Sequence, residues 1–265
     1  MRTALTIAGS DSGGGAGMQA DLKTFAALGV YGVCSITALT VQNSRGVSLV
    51  SAVEPALVAA QIDAVVSDFG ADATKIGMLV NAALVEVVAE AILRHRLPHV
   101  VLDPVLHATS GTSLLDKAAL PALMDKLLPL AEVVTPNASE AAELTGQPVT
   151  TLAEQRRAAE LLISRGARAV VVKGGHLDGP FAIDVFYDGR IFKELRAERV
   201  QGRHTHGTGC TFSSAIAARL AQGADLVTAV HNAKEYVSDA IAQAPGIGHG
   251  SGPLQHFPHG KARLY

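Results

Sequence analysis

This sequence has few of the features that mark disulfide-bonded or membrane proteins. Only two cysteines, Cys34 and Cys210, occur in 265 residues, which is too few for a disulfide framework and gives no C-x-x-C metal pattern. No segment approaches the roughly 18 consecutive apolar residues of a membrane-spanning helix. The apolar stretch near the N-terminus is too short for the central region of a signal peptide. We therefore expect a cytoplasmic protein with reduced thiols and no membrane partner.

The sequence also lacks clusters of charged residues of one sign. The chain has 22 basic and 24 acidic residues, a formal net charge of −2, and the basic residues are scattered. This distribution argues against binding to nucleic acid or to an anionic membrane. What is abundant is apolar residues, which make up 48% of the chain, and we expect a single domain over residues 1–265 because that length can bury a sizeable core.

Short runs rich in β-branched residues alternate with segments of helical periodicity along most of the chain. This alternation predicts an α/β fold with a mostly parallel central sheet covered by helices on both faces. An Asp-Gly pair at 188–189 predicts a small β-hairpin excursion, and strands at 31–42 and 46–53 are candidates to pair. Further strands are predicted at 3–9, 74–78, 99–105, 132–137 and 168–175, and helices at 17–29, 56–69, 83–95, 117–128, 138–146, 152–166, 211–223 and 225–244.

Most of the unusual residues follow predicted strands, and in open α/β sheets ligands bind beyond the carboxyl ends of the strands. The first strand leads into a glycine-rich loop, GSDSGGGAG at 9–17. This loop lacks the G-x-G-x-x-G pattern of dinucleotide-binding proteins, because Met18 takes the place of the last glycine, and no Walker-type G-x-x-x-x-G-K-[ST] motif occurs in the chain. The loop still allows a backbone to approach a ligand closely, with an ordinary surface loop as the alternative.

One half of the predicted site is mostly apolar. Gln42 ends an otherwise apolar strand, and its amide can pair with the donor and acceptor edge of a heterocycle. Met78 and Val105 end two further strands and would form apolar walls, with core packing as the alternative for each. Asp21, early in the first helix, is interpreted as an acceptor that faces the ligand, or else as a solvated acid. Gly9, at the start of the glycine-rich loop, completes the predicted substrate-binding set.

The other half of the predicted site is polar. Mg²⁺ prefers oxygen ligands and usually binds together with substrate phosphates, and a lysine supplies a point charge for phosphate. Two glycines around a threonine, just before an apolar helical segment, form a cradle suited to an anion. We therefore predict phosphoryl transfer to a small, mostly uncharged molecule. The residues on this side are Asp103, Thr135, Asn137, Glu140, Lys173 and the cradle residues Gly207, Thr208 and Gly209.

Two histidines, His204 and His206, come just before the cradle. An H-x-H pair requires further ligands at a defined spacing to bind zinc, and the cysteines supply none. Hydrogen-bonding or surface roles are therefore favoured for both histidines.

Several stretches resemble the bacterial hydroxymethylpyrimidine and hydroxymethylpyrimidine-phosphate kinases, which belong to the ribokinase-like superfamily beside the pyridoxal kinases. The resemblance covers nearly the whole chain and rests on AGSDSGGGAGMQADLKTF, YGVCSITALTVQN, TKIGML, VVLDPV, TPNASEA, VVKGGH, THGTGCTFSSAIAA and the tail GHGSGPLQHF. It implies a ribokinase-like fold and an ATP- and Mg²⁺-dependent kinase. The substrates would be 4-amino-5-hydroxymethyl-2-methylpyrimidine and its monophosphate, phosphorylated in turn for thiamin biosynthesis. A homodimer is also expected.

The resemblance also assigns roles to individual residues. It implies that Gln42 pairs with the pyrimidine and that the same pocket is lined by Asp21, Met78, Val105 and Cys210. The nucleotide and the metal would be held by Asp103, Asn137, Glu140, Lys173 and the backbone of Gly207–Gly209. Two residues depart from the family, since Ser12 stands where proline is usual and Thr109 where lysine is common. Both lie in loops expected to cover the site, so they bear on lid behaviour and not on the chemistry.

The resemblance raises a separate question about Cys210. The sugar kinases of the superfamily that this chain resembles have an aspartate at this position, which acts as the base for an alcohol. A thiol at a helix N-terminus should have its pKa lowered from about 8.5 towards neutrality, which would make a thiolate base available for the alcohol. A neutral thiol would also avoid the repulsion, roughly 4 kcal/mol at about 4 Å, between a carboxylate and a substrate phosphate. Cys210 is therefore predicted to be catalytic, with a small residue that merely fits the helix start as the alternative.

Three other functions remain as alternatives. A pyridoxal kinase of the same fold would also phosphorylate the hydroxymethyl arm of a methylated heterocycle. A non-catalytic pyrimidine-binding regulator would be expected to have lost Asp103, Glu140 or the cradle, and all of these are present. A nicotinamide-dependent oxidoreductase is disfavoured by the missing G-x-G-x-x-G pattern.

Overall fold

A computed structural model describes residues 1–108, 110–175, 177, 179–200, 202, 204–258 and 260. Its strands form one sheet in the order β3-β2-β1-β4-β5-β6-β7-β8-β9. The strands are β1 (Thr3–Asp11), β2 (Tyr31–Asn43), β3 (Gly46–Ala52), β4 (Ala73–Ile76), β5 (Val100–Leu102), β6 (Val133–Val134), β7 (Val170–Val172), β8 (Phe181–Tyr187) and β9 (Phe192–Glu198). The helices are α1 (Gly17–Ala27), α2 (Pro55–Asp68), α3 (Ala82–His95), α4 (Leu120–Ala122), α5 (Ala138–Thr145), α6 (Leu152–Ser164), α7 (Thr208–Ala221) and α8 (Leu226–Ala242).

The centre of the sheet is parallel, as the sequence predicts. Strands β2, β1, β4, β5, β6 and β7 run parallel to their neighbours in this order. Every residue of β4, β5, β6 and β7 is buried, which is typical of strands covered on both faces. The two edges are antiparallel: β3 pairs with β2, and the predicted hairpin of β8 and β9 continues the sheet from β7.

Helices cover both faces and create two apolar layers. On one face, Ile62 of α2, Val88 of α3 and Leu162 of α6 belong to one buried cluster. On the other face, Phe25 of α1 and Ile216 of α7 belong to a second cluster, together with residues of α8. Among the described residues, no helix is long and apolar enough to cross a membrane. The single domain over residues 1–265 stays a prediction.

Several elements differ from the sequence prediction at their ends. Strands β5 and β6 are shorter than expected and end before Pro104 and Pro136, because proline has no amide hydrogen to donate to a neighbouring strand. The helix predicted at 117–128 is an irregular series of turns over Lys117–Leu130, in which α4 lies between a 3₁₀ turn and a π turn. Pro121 and Pro129 explain this irregularity, because each removes an intrahelical hydrogen bond.

The parallel arrangement determines where a ligand site can form. The carboxyl ends of the parallel strands β1, β4, β5, β6 and β7 lie along the same side of the sheet. The loops that follow these strands therefore come together there. Helix α7 also begins close to these strand ends, because Gly207 at its start packs against Gly15 in the loop after β1.

Candidate active site

A cavity of about 310 Å³ lies at the carboxyl ends of the parallel strands. It brings together most of the site residues predicted from the sequence. Its walls include Gly9, Gln42, Met78, Val105, Asp103, Asn137, Glu140, Lys173, Gly207, Thr208, Gly209 and Cys210. Two predicted residues, Asp21 and Thr135, are not on these walls. Thr109, whose identity departs from the family pattern, lies outside the described residues.

Apolar residues form one part of the cavity wall. Met78 and Leu114 share a buried cluster against which Val105 and Ala108 pack. A Cβ atom added to Gly9 would lie 3.0 Å from the sulfur of Met78, so glycine allows the end of β1 to approach that side chain. Leu114 and Ala108 belong to the loop after β5 and were not predicted, because nothing in their local sequence separates them from ordinary loop residues.

Asp21 is a correction to the sequence prediction, because its carboxylate does not reach the cavity. Its oxygens lie 2.8 and 3.0 Å from Nζ of Lys75, and the side chains of both residues are fully buried. The same carboxylate accepts hydrogen bonds from the hydroxyls of Thr6 and Ser214. Asp21 therefore serves a buried ion pair and not a ligand, since its hydrogen-bonding capacity is taken up by these three partners.

The charged part of the cavity is built from the ends of β5, β6 and β7. Nζ of Lys173 lies 3.0 Å from Oδ1 of Asp103. Asn137 and Glu140 cap helix α5 reciprocally: the Asn137 side chain accepts from the Glu140 backbone N–H at 2.9 Å, and a Glu140 carboxylate oxygen accepts from the Asn137 backbone N–H at 2.7 Å. This capping box fixes both side chains at the cavity wall.

Thr135 is the second correction. It is fully buried, and its hydroxyl donates to Oδ1 of Asp103 at 3.1 Å. Thr135 therefore orients the carboxylate of Asp103 from behind and has no exposed atom for a nucleotide.

The electrostatics of this part fit a divalent cation. Burial raises the pKa of Glu140 to about 7, with Lys173 opposing the rise and Asp103 adding to it. Burial works against the charge of Lys173, yet the two carboxylates raise the pKa of its ammonium. Asp103 and Glu140 thus share one lysine, and a buried carboxylate without a full cationic partner is unfavourable. Two oxygen donors beside a phosphate cradle match the ligands that Mg²⁺ takes together with waters and phosphates.

The cradle forms the first turn of α7. Gly207 precedes the helix with φ of 85°, and a Cβ atom there would lie 1.9 Å from the Gly15 carbonyl oxygen. Glycine is therefore required for the cradle and the loop after β1 to pack backbone against backbone. Gly209 faces the charged part, because a Cβ atom on it would lie 3.1 Å from Nζ of Lys173. The backbone N–H groups at this helix start are free of intrahelical partners and suit a phosphate.

Cys210 lies in this first turn, at the cavity wall, as predicted. The predicted lowering of its pKa is wrong. Burial raises the pKa of the thiol to about 11, and the Lys75 ammonium and the Gly17 backbone N–H oppose this only partly, while Asp21 and Asp103 add to the rise. The helix N-terminus is therefore outweighed by burial and by two nearby carboxylates, and the thiol is neutral near pH 7.

Sequence reasoning missed Asp11, the last residue of β1. Its carboxylate accepts from the backbone N–H groups of Gly13, Gly15 and Ala16 and lies 3.0 Å from Nε2 of His206. Although burial opposes it, these hydrogen bonds lower the pKa of Asp11 to about 2. An acid followed by a glycine run is the one signal that pointed to this role, since such a run exposes several N–H groups to one carboxylate.

The two histidines take hydrogen-bonding roles, as favoured from the sequence. Nε2 of His206 also lies 3.2 Å from Nε2 of Gln42, and Nδ1 of His204 accepts from the Gly252 backbone N–H at 3.2 Å. Within the part of the chain that the structure describes, no group of three or more His, Cys, Asp or Glu side chains is arranged to hold a metal ion.

A further wall of the cavity comes from the sheet edge and α8. Asp184 of β8 accepts from the Gly174 backbone N–H at 2.9 Å and pairs with Lys234 of α8 at 2.8 Å. Val237 and Ile241 follow on the same helix and line the cavity with apolar surface. No local motif marks these residues, because the hairpin and α8 meet only in the folded sheet.

Comparison with known proteins assigns this chain to a family. The residues of the cavity are those expected of a phosphotransferase site. The family model described as phosphomethylpyrimidine kinase matches residues 11–255. The chain therefore belongs to the phosphomethylpyrimidine kinase family. It is 52% identical over 257 residues to the hydroxymethylpyrimidine/phosphomethylpyrimidine kinase of Rhizobium meliloti, with 96% of each chain covered.

Two other similar proteins extend this result. The thiamine biosynthesis bifunctional protein ThiED of Geobacter sulfurreducens is 48% identical, over 96% of this chain and 52% of its own length. The solved pyridoxal kinase of Staphylococcus aureus, in complex with AMP-PCP and pyridoxal, is 35% identical with a TM-score of 0.90, over 98% of this chain and 94% of its own. The predicted family, the ribokinase-like α/β fold and the enzyme class of a kinase are thereby confirmed.

Proposed function

We propose that this chain transfers the γ-phosphoryl group of ATP to the hydroxymethyl group of 4-amino-5-hydroxymethyl-2-methylpyrimidine, and then to the resulting monophosphate. The product is the pyrimidine diphosphate used in thiamin biosynthesis. Family membership supports this function, and so does the bifunctional thiamine biosynthesis relative. The proposal rests mainly on one cavity that holds an uncharged amide beside apolar walls, and a charged cluster beside an anion cradle.

The residues of the charged cluster divide the work of phosphoryl transfer. Lys173 is positioned to hold phosphate oxygens, and the backbone N–H groups of Gly207, Thr208 and Gly209 are positioned to receive the charge that develops on the transferred group. Asp103 and Glu140 would hold Mg²⁺, which when bound neutralises phosphate charge. Asn137 lies beside them, its side chain fixed by the capping box of α5.

Gln42 and the apolar wall would hold the pyrimidine. The half-buried amide of Gln42 can donate to a ring nitrogen and accept from an adjacent amino group, which matches the edge of a 4-aminopyrimidine. Met78 and Val105 give the ring apolar surface. Cys210 would be in contact with the acceptor oxygen, and its neutral thiol does not repel a phosphate monoester, which suits the second transfer.

Steady-state formation of ADP should be measured with the alcohol, its monophosphate and pyridoxal as separate acceptors. We expect turnover with both pyrimidines, and its abolition in Lys173→Ala with pyrimidine binding retained in calorimetry. The Lys173→Ala preparation also controls for contaminating kinases. Turnover of neither pyrimidine by the folded protein would overturn the proposal.

Pyridoxal kinase activity is a second candidate, because the S. aureus neighbour with pyridoxal and AMP-PCP shares the fold at 35% identity. The same assay decides between them, since a dedicated pyridoxal kinase would turn over pyridoxal much faster than either pyrimidine. A non-catalytic regulator would bind the pyrimidine and turn over none of the three.

The homodimer and the cytoplasmic location stay predictions from the sequence. Light scattering during gel filtration would test the homodimer directly.

A further inference from the structure

Three side chains meet where the loop after β1, the end of β2 and the cradle come together. Nε2 of His206 lies 3.0 Å from Oδ2 of Asp11 and 3.2 Å from the amide of Gln42. Asp11 and His206 are largely buried, with side-chain exposures of 2% and 15%. Asp11 and His206 line the same cavity as Gln42, the amide proposed to bind the pyrimidine.

The protonation of His206 at this contact follows from Asp11. The Asp11 carboxylate receives three backbone N–H groups, and a carboxylate held in this way is ionised and can only accept. A lone pair on Nε2 would face this negative charge at 3.0 Å, which is repulsive. The hydrogen must therefore be on Nε2, and His206 donates towards Asp11.

This proton determines how the Gln42 amide is turned. The oxygen and nitrogen of a glutamine amide are assigned from the hydrogen bonds around them. An amide NH₂ facing the Nε2–H of His206 would place two donors against each other, whereas the amide oxygen in that position shares the one Nε2 hydrogen with Asp11 as a second acceptor. The amide of Gln42 is therefore turned by about 180° from the assignment that places its nitrogen 3.2 Å from His206, so that its oxygen faces His206 and its NH₂ faces the cavity.

The backbone of Gln42 is held as well, by the side chain of Ser12. The Ser12 hydroxyl donates to the Gln42 carbonyl oxygen at 2.8 Å and accepts from its N–H at 2.9 Å. Ser12 therefore fixes the backbone of Gln42, while His206, on the same cavity wall, contacts its side chain.

We propose that His206 is a positioning residue that fixes the orientation of the Gln42 amide and thereby selects 4-aminopyrimidines over 4-oxopyrimidines. The inference rests on the proposed function. A 4-amino ring presents a ring-nitrogen acceptor beside an amino donor, which pairs with the fixed amide. A 4-oxo ring presents the reverse pattern, an N–H donor beside an oxygen acceptor. It can pair only if the amide flips, and the flip is opposed by the donor on His206.

The test compares kcat/KM for the 4-amino substrate and for its 4-oxo counterpart, in wild type, His206→Phe and His204→Phe. Phenylalanine keeps the bulk of the ring and removes the donor, so the amide of Gln42 is released. We expect the amino-to-oxo ratio to fall by roughly tenfold or more in His206→Phe, because an unpaired buried polar contact is worth that much or more. His204 accepts from the backbone N–H of Gly252, whose carbonyl oxygen accepts from the His206 N–H. Among the described residues, His204 has no hydrogen bond to Asp11 or Gln42, so its variant should keep the wild-type ratio.

The outcomes are distinguishable. An unchanged ratio in folded His206→Phe, or an equal fall of the ratio in His204→Phe, would overturn the inference while leaving the proposed function intact. Turnover of neither pyrimidine by wild type would instead overturn the proposed function. If His206→Phe does not fold, NMR on the wild type decides: with a ¹⁵N-labelled 4-amino ligand, a scalar coupling across the hydrogen bond from the Gln42 side-chain nitrogen to the ring nitrogen is expected, and its absence contradicts the orientation.

Discussion

Individual side chains handle charge differently in the two parts of the cavity. The charged part holds two buried carboxylates, Asp103 and Glu140, with Lys173 beside them. The apolar part presents one neutral amide, Gln42, whose orientation we propose is set by His206 beside it on the cavity wall. A neutral heterocycle and a phosphate with its metal are therefore recognised by separate side chains, and single substitutions should affect one ligand at a time.

Gln42→Leu should weaken pyrimidine binding without affecting the nucleotide. The substitution leaves polar ring atoms unpaired in a largely buried site, at a cost of about 1–3 kcal/mol. Calorimetric titration of the variant with the pyrimidine and, separately, with an ATP analogue measures both effects. Equal affinity of wild type and variant for the pyrimidine would remove Gln42 from the binding site.

Cys210 should make transfer to the alcohol depend on pH. The thiol pKa of about 11 means that the thiolate is scarce at pH 7 and increases with pH. If the thiolate is the base, the alcohol step should accelerate about tenfold per pH unit up to about pH 9, whereas transfer to the already ionised monophosphate should not. Single-turnover rates for both acceptors, at saturation, measure this difference.

Substitution of Cys210 separates the base from the cradle. Cys210→Ala should slow the alcohol step by about 10²–10⁴-fold and the phosphate step much less, because the backbone donors of the cradle remain. Cys210→Asp should retain some alcohol transfer and suppress the second step by charge repulsion. Equal losses in both steps for Cys210→Ala would show that the thiol only lines the pocket.

At the level of secondary-structure elements, the active site depends on how helices begin. Helix α7 starts after Gly207, and its first-turn N–H groups lack intrahelical partners, although the Thr208 N–H donates to the Thr205 carbonyl oxygen at 3.3 Å. Helix α5 instead starts with a capping box in which Glu140 accepts from the Asn137 N–H. Glu140 therefore stabilises a helix and is also proposed to hold a metal. Substitution by alanine would confuse these two roles, whereas glutamine can still cap.

Glu140→Gln should weaken metal binding while preserving α5. In the absence of metal, the raised pKa of Glu140 means that its protonated form favours folding. Its contribution is complete below the usual pKa near 4.5 and is lost as pH rises through about 7. Glutamine does not ionise, so Glu140→Gln does not lose this unfolding free energy as pH rises. The difference in unfolding free energy between Glu140→Gln and wild type should therefore favour the variant more at pH 8 than at pH 5, as measured by urea unfolding.

Magnesium gives the matched measurement for Glu140. Added MgCl₂ with an ATP analogue should raise the melting temperature of wild type more than that of Glu140→Gln. Glu140→Ala should in addition lose about 1 kcal/mol of helix capping at every pH. The same response of wild type and Glu140→Gln to Mg²⁺ would exclude Glu140 as a metal ligand.

The same elements show how far sequence reasoning reaches. Residues directly after strands, such as Asp103 and Lys173, were predicted because the positions of buried parallel strands can be inferred from local patterns. Asp21 was placed wrongly because its partner Lys75 lies 54 positions away in the chain, and no local pattern indicates that a lysine in β4 will claim the carboxylate. Cys210 shows the same limit, since a helix start predicts a lowered pKa, whereas burial and neighbouring carboxylates are set by the whole fold.

In the molecule as a whole, the C-terminal tail joins parts of the site that are far apart in sequence. The His206 backbone N–H donates to the Gly252 carbonyl oxygen at 3.1 Å, and the Gly250 N–H donates to the Ser44 hydroxyl at 3.1 Å. Further along, His256 is buried beside Thr211 of α7, and its carbonyl accepts from the Tyr236 hydroxyl. The tail thereby fastens the cradle, α7 and the turn after β2 together.

His256 should make the docking of this tail sensitive to acid. Burial lowers the pKa of its imidazole to about 4, with Lys23 and His206 adding to the effect, against an ordinary value of 6.5. The unfolded chain therefore binds more protons than the folded one between these pH values, so stability is greatest above pH 6.5 and falls as pH drops towards 4. His256→Gln cannot titrate, and the loss of unfolding free energy between pH 7 and pH 5 should be smaller in it by about 2 kcal/mol. Urea unfolding at the two pH values measures this difference.

Other titrating groups do not explain the expected difference between the two proteins. Asp11 does not contribute, because its pKa of about 2 places its effect at lower pH. The opposite contribution of Glu140 is common to both proteins. Identical pH dependence in wild type and His256→Gln would mean that His256 can be protonated in the folded protein at no cost in stability. The tail would then be held by its backbone contacts alone.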